Sequence, residues 1–136
     1  MDDNILARVE RFKRALNRLI ALKERISEYG LGEDEIDILE NNTRILIEAL
    51  LDIARAVIAE RDLGSPKTYK QVATILYENN LLSEREYQLL RSLAGLRNVI
   101  IHMYVGIDYD RLLEITDLLS DIEALMNKLL AHLKET

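Results

Sequence analysis

No cysteine occurs among the 136 residues, so a disulfide framework, a thiolate nucleophile and a cysteine-ligated zinc site are all excluded. Proline occurs once and glycine five times, which leaves little room for long irregular linkers. The two histidines, His102 and His132, are too far apart in sequence for the short spacing of paired zinc ligands, so no metal is expected. Gly30 and Gly32 are followed by acidic residues that would repel a nucleotide, and no Gly-Lys-Ser/Thr loop exists to cradle phosphate. Six tyrosines are scattered along the chain rather than grouped as a base-stacking platform. No apolar run is long enough to span a bilayer. The opening Met-Asp-Asp-Asn has none of the regions of a secretory signal, so a cytoplasmic location is expected. An excess of basic charge is also lacking: 18 Lys and Arg stand against 24 Asp and Glu, a net charge of -6. That balance disfavours nonspecific adsorption to nucleic acid but leaves a local basic groove open.

What is present is helical patterning. Apolar residues make up 49% of the chain and charged residues 31%, the balance of a folded, helix-rich protein long enough to bury one core. The spacing predicts a first helix from about Asn4 to Glu28, with Ile5, Val9, Phe12, Leu16, Leu19 and Ile26 on one face. Arg11, Arg14, Arg18 and Arg25 form a narrow stripe beside that face, which reads as a solvated shoulder or, less often, as an RNA contact. Tyr29-Gly30-Leu31-Gly32 breaks the helix. A second helix, from about Asp34 to Glu60, begins with acidic residues suited to its positive end and carries a broad aliphatic face.

Pro66 and Thr68 lead into a shorter third helix reaching about Glu78, which Asn79-Asn80 ends. Ser83-Glu84-Arg85-Glu86 has the spacing of a capping box and starts a fourth helix. That helix runs into the segment from Arg97 to Tyr104, before Val105-Gly106 breaks it. Asp108 or Asp110 then caps a single last helix carrying Leu112, Ile115, Leu119, Ile122, Met126 and Leu129. Without sustained period-two alternation, the fold is expected to be all-α: an up-and-down bundle of about five helices in one domain, residues 1–136.

Arg97-Asn98-Val99-Ile100-Ile101-His102-Met103-Tyr104 sets an arginine, an amide, an imidazole and a phenol into an otherwise aliphatic stretch. On a helical wheel Arg97 and Tyr104 share a face and Asn98 pairs with His102 at i and i+4, while Val99, Ile100 and Met103 cluster on the core side. Imidazole titrates near neutrality and so suits general acid-base work. A guanidinium fork suits charge developing on phosphate oxygens. Taken singly, each residue has a plainer reading: a hydrogen-bonded boundary histidine, an arginine in an ion pair, a helix-end amide, a core-edge phenol. Glu48, inside an aliphatic helix with Arg44 one turn before it, reads first as half of a helix-stabilising pair and second as an ancillary site residue. His132 reads as solvated.

Arg97, four residues, His102, one residue and Tyr104 fit the Arg-x4-His-x-Tyr signature of HEPN-domain ribonucleases. The stretch from Glu40 to Leu113 resembles the HepT-type toxin branch of that family, through the run from Asn42 to Ala54, the Asp62-Leu63-Gly64 turn and Leu96-Arg97-Asn98. The resemblance implies a HEPN-like helical homodimer in which two motifs face a shared cleft, and metal-independent endonucleolytic cleavage of RNA without a cofactor. It further implies a minimal nucleotidyltransferase (MNT) antitoxin partner, able to attach nucleotides to the motif tyrosine, here Tyr104. Under it Arg97 and His102 are the expected catalytic residues, with Asn98 and Tyr104 supporting or positioning substrate. The alternative is a noncatalytic helical module that pairs with the nucleotidyltransferase.

Overall fold

The structure is a computed structural model that describes residues 2–102 and 108–134. Among the described residues the regular elements are six α-helices and one 3-10 turn: α1, Asp3–Tyr29; α2, Glu33–Glu60; α3, Tyr69–Glu78; α4, Glu84–Ile101; α5, Tyr109–Leu113; the turn, Glu114–Asp117; and α6, Leu119–Lys134. The all-α bundle expected from the sequence is thus the fold. None of the described helices is long and apolar enough to cross a membrane.

Local chemistry sets the helix ends. Asp2 accepts from Ile5 N–H at 2.9 Å and caps α1, and Gly30, at φ 82°, lets the chain turn out of it while its N–H bonds the Ile26 carbonyl. The Glu35 carboxylate reaches back to Gly32 N–H at 3.2 Å to open α2. Thr68 caps α3, and Asn80, at φ 61°, lies in the turn that follows it. The capping box at α4 is complete: Ser83 Oγ accepts from Glu86 N–H, and Glu86 Oε1 accepts from Ser83 N–H.

α2 is the central helix, packed along α1 and touching α3, α4, α5 and α6. Its Leu46, Ile47, Leu50, Leu51, Ile53, Ala54 and Val57 are fully enclosed. Val9, Phe12, Leu16 and Leu19 of α1 are buried as well, so that face is core. α3 and α4 are clasped by Tyr77 and Tyr87, whose rings stack 4.7 Å apart at 19°. Two tyrosines scattered in sequence are thus brought together by the fold. The Tyr87 hydroxyl accepts from Arg91 at 2.8 Å, and hydrogen bonds from Arg91 and Thr74 hold this phenol below its ordinary pKa.

The expected single last helix is two helices. Asp108 caps α5 through Asp110 and Arg111 N–H, but Thr116 Oγ1 donates to the Leu113 carbonyl at 2.8 Å and the backbone tightens to 3-10. Ile115 and Thr116 are both buried in this segment, and the side-chain bond to a carbonyl three residues back competes with continuation of the α-helix. The Tyr109 phenol, raised above its ordinary pKa chiefly by donating to Glu40, ties α5 back to α2. His132 departs from the solvated reading. Its Nε2 lies 2.9 Å from the Leu81 carbonyl, and its own carbonyl accepts from Arg61 at 3.1 Å.

Candidate functional site

Arg97 sits on the last full turn of α4, with its side chain only 22% exposed. Three elements hold it. Glu48 of α2 places Oε2 3.6 Å from Arg97 Nη2, Tyr69 at the start of α3 puts its ring centroid 4.7 Å from Arg97 Cζ, and Asn98 offers Oδ1 at 3.5 Å from Nη1. The guanidinium therefore rests on an aromatic face with a carboxylate at its edge, an arrangement in which charge attraction and ring quadrupole act on one cation. Nε is buried and has no acceptor among the described residues.

Glu48 stands between two arginines. Its Oε1 accepts from Arg44 Nη1 at 2.8 Å, which is the one-turn pair on α2, while its other oxygen faces Arg97. Arg44 is fixed in turn by Asn41 Oδ1 at 2.9 Å. Tyr69 and Arg55, whose Cζ lies 5.9 Å from the same ring, escaped the sequence reading. Arg44, Glu48 and Arg55 do lie on one stripe of α2, at i, i+4 and i+11, and that spacing was the available signal. Nothing local marks Tyr69.

His102 is exposed at the C-cap of α4, φ -97° and ψ 42°, and its N–H bonds the Asn98 carbonyl at 3.2 Å. The helix ends at Ile101, so a helical wheel holds for Arg97 and Asn98 and stops at the histidine. Tyr104 and Met103 lie outside the described residues. Val99, expected on the core side, is 39% exposed, whereas Ile100 is buried; Ile101, which the wheel puts in the polar arc, is 41% exposed. The core-facing arc at the end of α4 is narrower than its apolar content suggests.

The arginine stripe of α1 is exposed as expected, but Arg25 Nη2 pairs with Glu35 at 3.3 Å. Arg18 and Arg25 border a groove of about 700 Å³ with Asp37 and Ile38. Arg97, Asn98 and His102 are not among its walls, and the ion pair and ring contact of Arg97 are with α2 and α3, not α1. Among the described residues no group of three or more His, Asp or Glu side chains is placed to hold a metal ion.

The chain is thus an all-α bundle with an arginine held in a carboxylate and aromatic cradle, five residues before a histidine at the helix end, and known relatives specify the family. Residues 5–129 match the family described as Ribonuclease HepT-like. The chain is 27% identical over 110 residues to the mRNA nuclease HepT of Shewanella oneidensis, across 81% of this chain and 83% of that protein. It is similar to the tri-AMPylated Shewanella oneidensis HEPN toxin in complex with MNT antitoxin, with a TM-score of 0.85 and 26% identity over 96% of this chain and 99% of that one. A toxin-antitoxin crystal structure with AMP-PNP matches with a TM-score of 0.83 and 25% identity, covering 95% and 99%. The chain belongs to the HepT-like ribonuclease family, and its chemical class is that of an endoribonuclease.

Proposed function

We propose that this chain is the toxin of a HEPN/MNT toxin-antitoxin pair, a metal-independent endoribonuclease that cleaves RNA through the 2′-hydroxyl of its own substrate. The observation that carries this reading is Arg97, restrained by Glu48 and Tyr69 and only partly exposed, one and a half turns before His102. A cation fixed before substrate arrives stabilises transition-state charge without reorganising.

In the proposed reaction a His102 imidazole takes the 2′-hydroxyl proton as the 2′-oxygen bonds to phosphorus. Arg97 stabilises the added negative charge on the phosphorane oxygens. The bond from phosphorus to the 5′-oxygen then breaks, and that oxygen receives a proton from a second acid. The products are a 2′,3′-cyclic phosphate and a 5′-hydroxyl, with no net change in protons. One chain offers a single motif histidine, so a homodimer with two-fold symmetry supplies the second His102. Asn98 orients the scissile phosphate, and Tyr104 positions substrate and is the residue on which an MNT antitoxin would place nucleotides. The similarity to a tri-AMPylated toxin bound to MNT antitoxin supports that pairing. The α1 arginines remain a secondary candidate for RNA contact.

The test is incubation of the protein with cellular RNA in EDTA beside a His102→Ala control, with product end groups identified. Cleavage that survives chelation, needs His102 and leaves cyclic phosphate is expected. Wild-type inactivity in protein shown by intact mass to be unmodified would instead support a noncatalytic module that binds the nucleotidyltransferase.

A further inference from the structure

We infer that Arg55, Tyr69 and the groove beside them form the track that carries the RNA strand away from Arg97, an inference that rests on the ribonuclease reading. Tyr69 is the joint of this track. Its ring centroid lies 4.7 Å from Arg97 Cζ and 5.9 Å from Arg55 Cζ, so two guanidinium groups share one phenol.

Their negative partners do not match them. Glu48 stands 3.6 Å from Arg97 but gives its shorter contact, 2.8 Å, to Arg44. Arg55 is exposed and has neither ion pair nor hydrogen bond among the described residues. Past Arg55 the surface opens into a groove of about 500 Å³ between the start of α1, α2 and residues 64–66, with Arg8, Asp52 and Ser65 in its walls. Arg8 pairs with Asp52 at 3.1 Å there. Arg8, Arg44, Arg55 and Arg97 thus meet two carboxylates, Glu48 and Asp52, a local surplus of two positive charges on a chain whose net charge is -6.

Like charges held around one ring with incomplete neutralisation repel, and an anion laid across them relieves the repulsion. The spacing suits a chain of phosphates rather than one. Arg44 and Arg55 are eleven residues apart on one face of α2, roughly 16 Å along its axis. A polyanion is also the ligand on which isolated, unpaired arginines have most effect, because each contact releases counterions. The positive field that an acidic protein needs to hold RNA lies on this account chiefly on α2, next to Arg97, with the stripe of α1 secondary to it.

The experiment uses the intact protein and a short fluorescein-labelled 2′-O-methyl oligoribonucleotide, which lacks the nucleophile and so reports binding apart from cleavage. Arg55→Ala is expected to weaken binding about tenfold near physiological salt and to lower the slope of log affinity against log salt by about one. With cleavable RNA it raises KM by a similar factor and leaves kcat within about twofold. Arg55→Lys restores the slope, and Lys13→Ala, which removes one charge from α1, leaves it unchanged. An unaltered slope in Arg55→Ala, in a protein that cleaves RNA, overturns the track and leaves the ribonuclease reading intact. Arg55-dependent binding without cleavage keeps the track and removes the nuclease. A wild type that neither binds nor cleaves overturns both.

Discussion

Arg97 shows how much of a functional group lies in its surroundings. Alone on α4 it would be a flexible cation; against Tyr69 and Glu48 it has a fixed plane and a fixed edge. Lysine keeps the charge but has no planar fork to stack and bridge. Arg97→Lys is therefore expected to lower kcat roughly a hundredfold, with the helical circular dichroism unchanged. Glu48→Gln tests the cradle from the other side. It keeps the side chain's shape while removing the charge shared by Arg44 and Arg97, so the two guanidiniums repel and Arg97 loses its edge contact. Single-turnover cleavage should fall roughly tenfold, and Glu48→Asp should recover only part of it, because the shorter arm cannot reach both partners. A Glu48→Gln protein that cleaves at the wild-type rate would confine Glu48 to the ordinary one-turn pair.

At the scale of elements, what the sequence reveals is what neighbours in sequence determine. The Ser83 and Glu86 box, the Gly30 exit and the Asn79-Asn80 stop are each made by residues within four positions of one another, and each stands where the spacing puts it. Ser83→Ala removes the acceptor for Glu86 N–H and is expected to cost about 1 kcal/mol, read as a lower midpoint in urea with an unchanged slope. The break between α5 and α6 was not legible, because a threonine that bonds a carbonyl three residues back is a weak signal beside glycine or proline. Both Ile115 and Thr116 are buried beside that bond, and burial of this kind is set by distant neighbours. The site divides the same way. Arg97, Asn98 and His102 form a motif within six residues, whereas Tyr69 and Arg55 matter through distant pairing alone, and no local pattern distinguishes Tyr69 from the five other tyrosines.

For the whole molecule, the question is what closes the bundle around α2. Burial dominates: Leu50 of α2 is fully enclosed, and Leu50→Ala is expected to cost about 2–5 kcal/mol, measured by chemical denaturation. A smaller, pH-dependent closure joins the capping box of α4 to α6, where Lys128 Nζ donates to Glu86 Oε1. Partial burial pushes the Glu86 carboxyl up, but hydrogen bonds from Lys128 and Ser83 outweigh it and hold the group below its ordinary value of 4.5. A depressed folded-state pKa means that the stabilisation is complete above the unfolded value and is lost as pH falls through the folded one. Since the Lys128 and Glu86 side chains are 39% and 25% exposed, solvent screening limits the effect to about 0.5 kcal/mol. Glu86→Gln keeps an acceptor for Ser83 N–H and removes only the charge. The variant should therefore be slightly less stable than wild type at neutral pH, and the difference should shrink as pH falls below 4.5 and close once the pH is under the lowered folded-state value, where both carry an uncharged side chain. Paired urea titrations at neutral and acid pH read this directly, and a difference that persisted unchanged into acid would show that the charge of Glu86 is not what stabilises the contact.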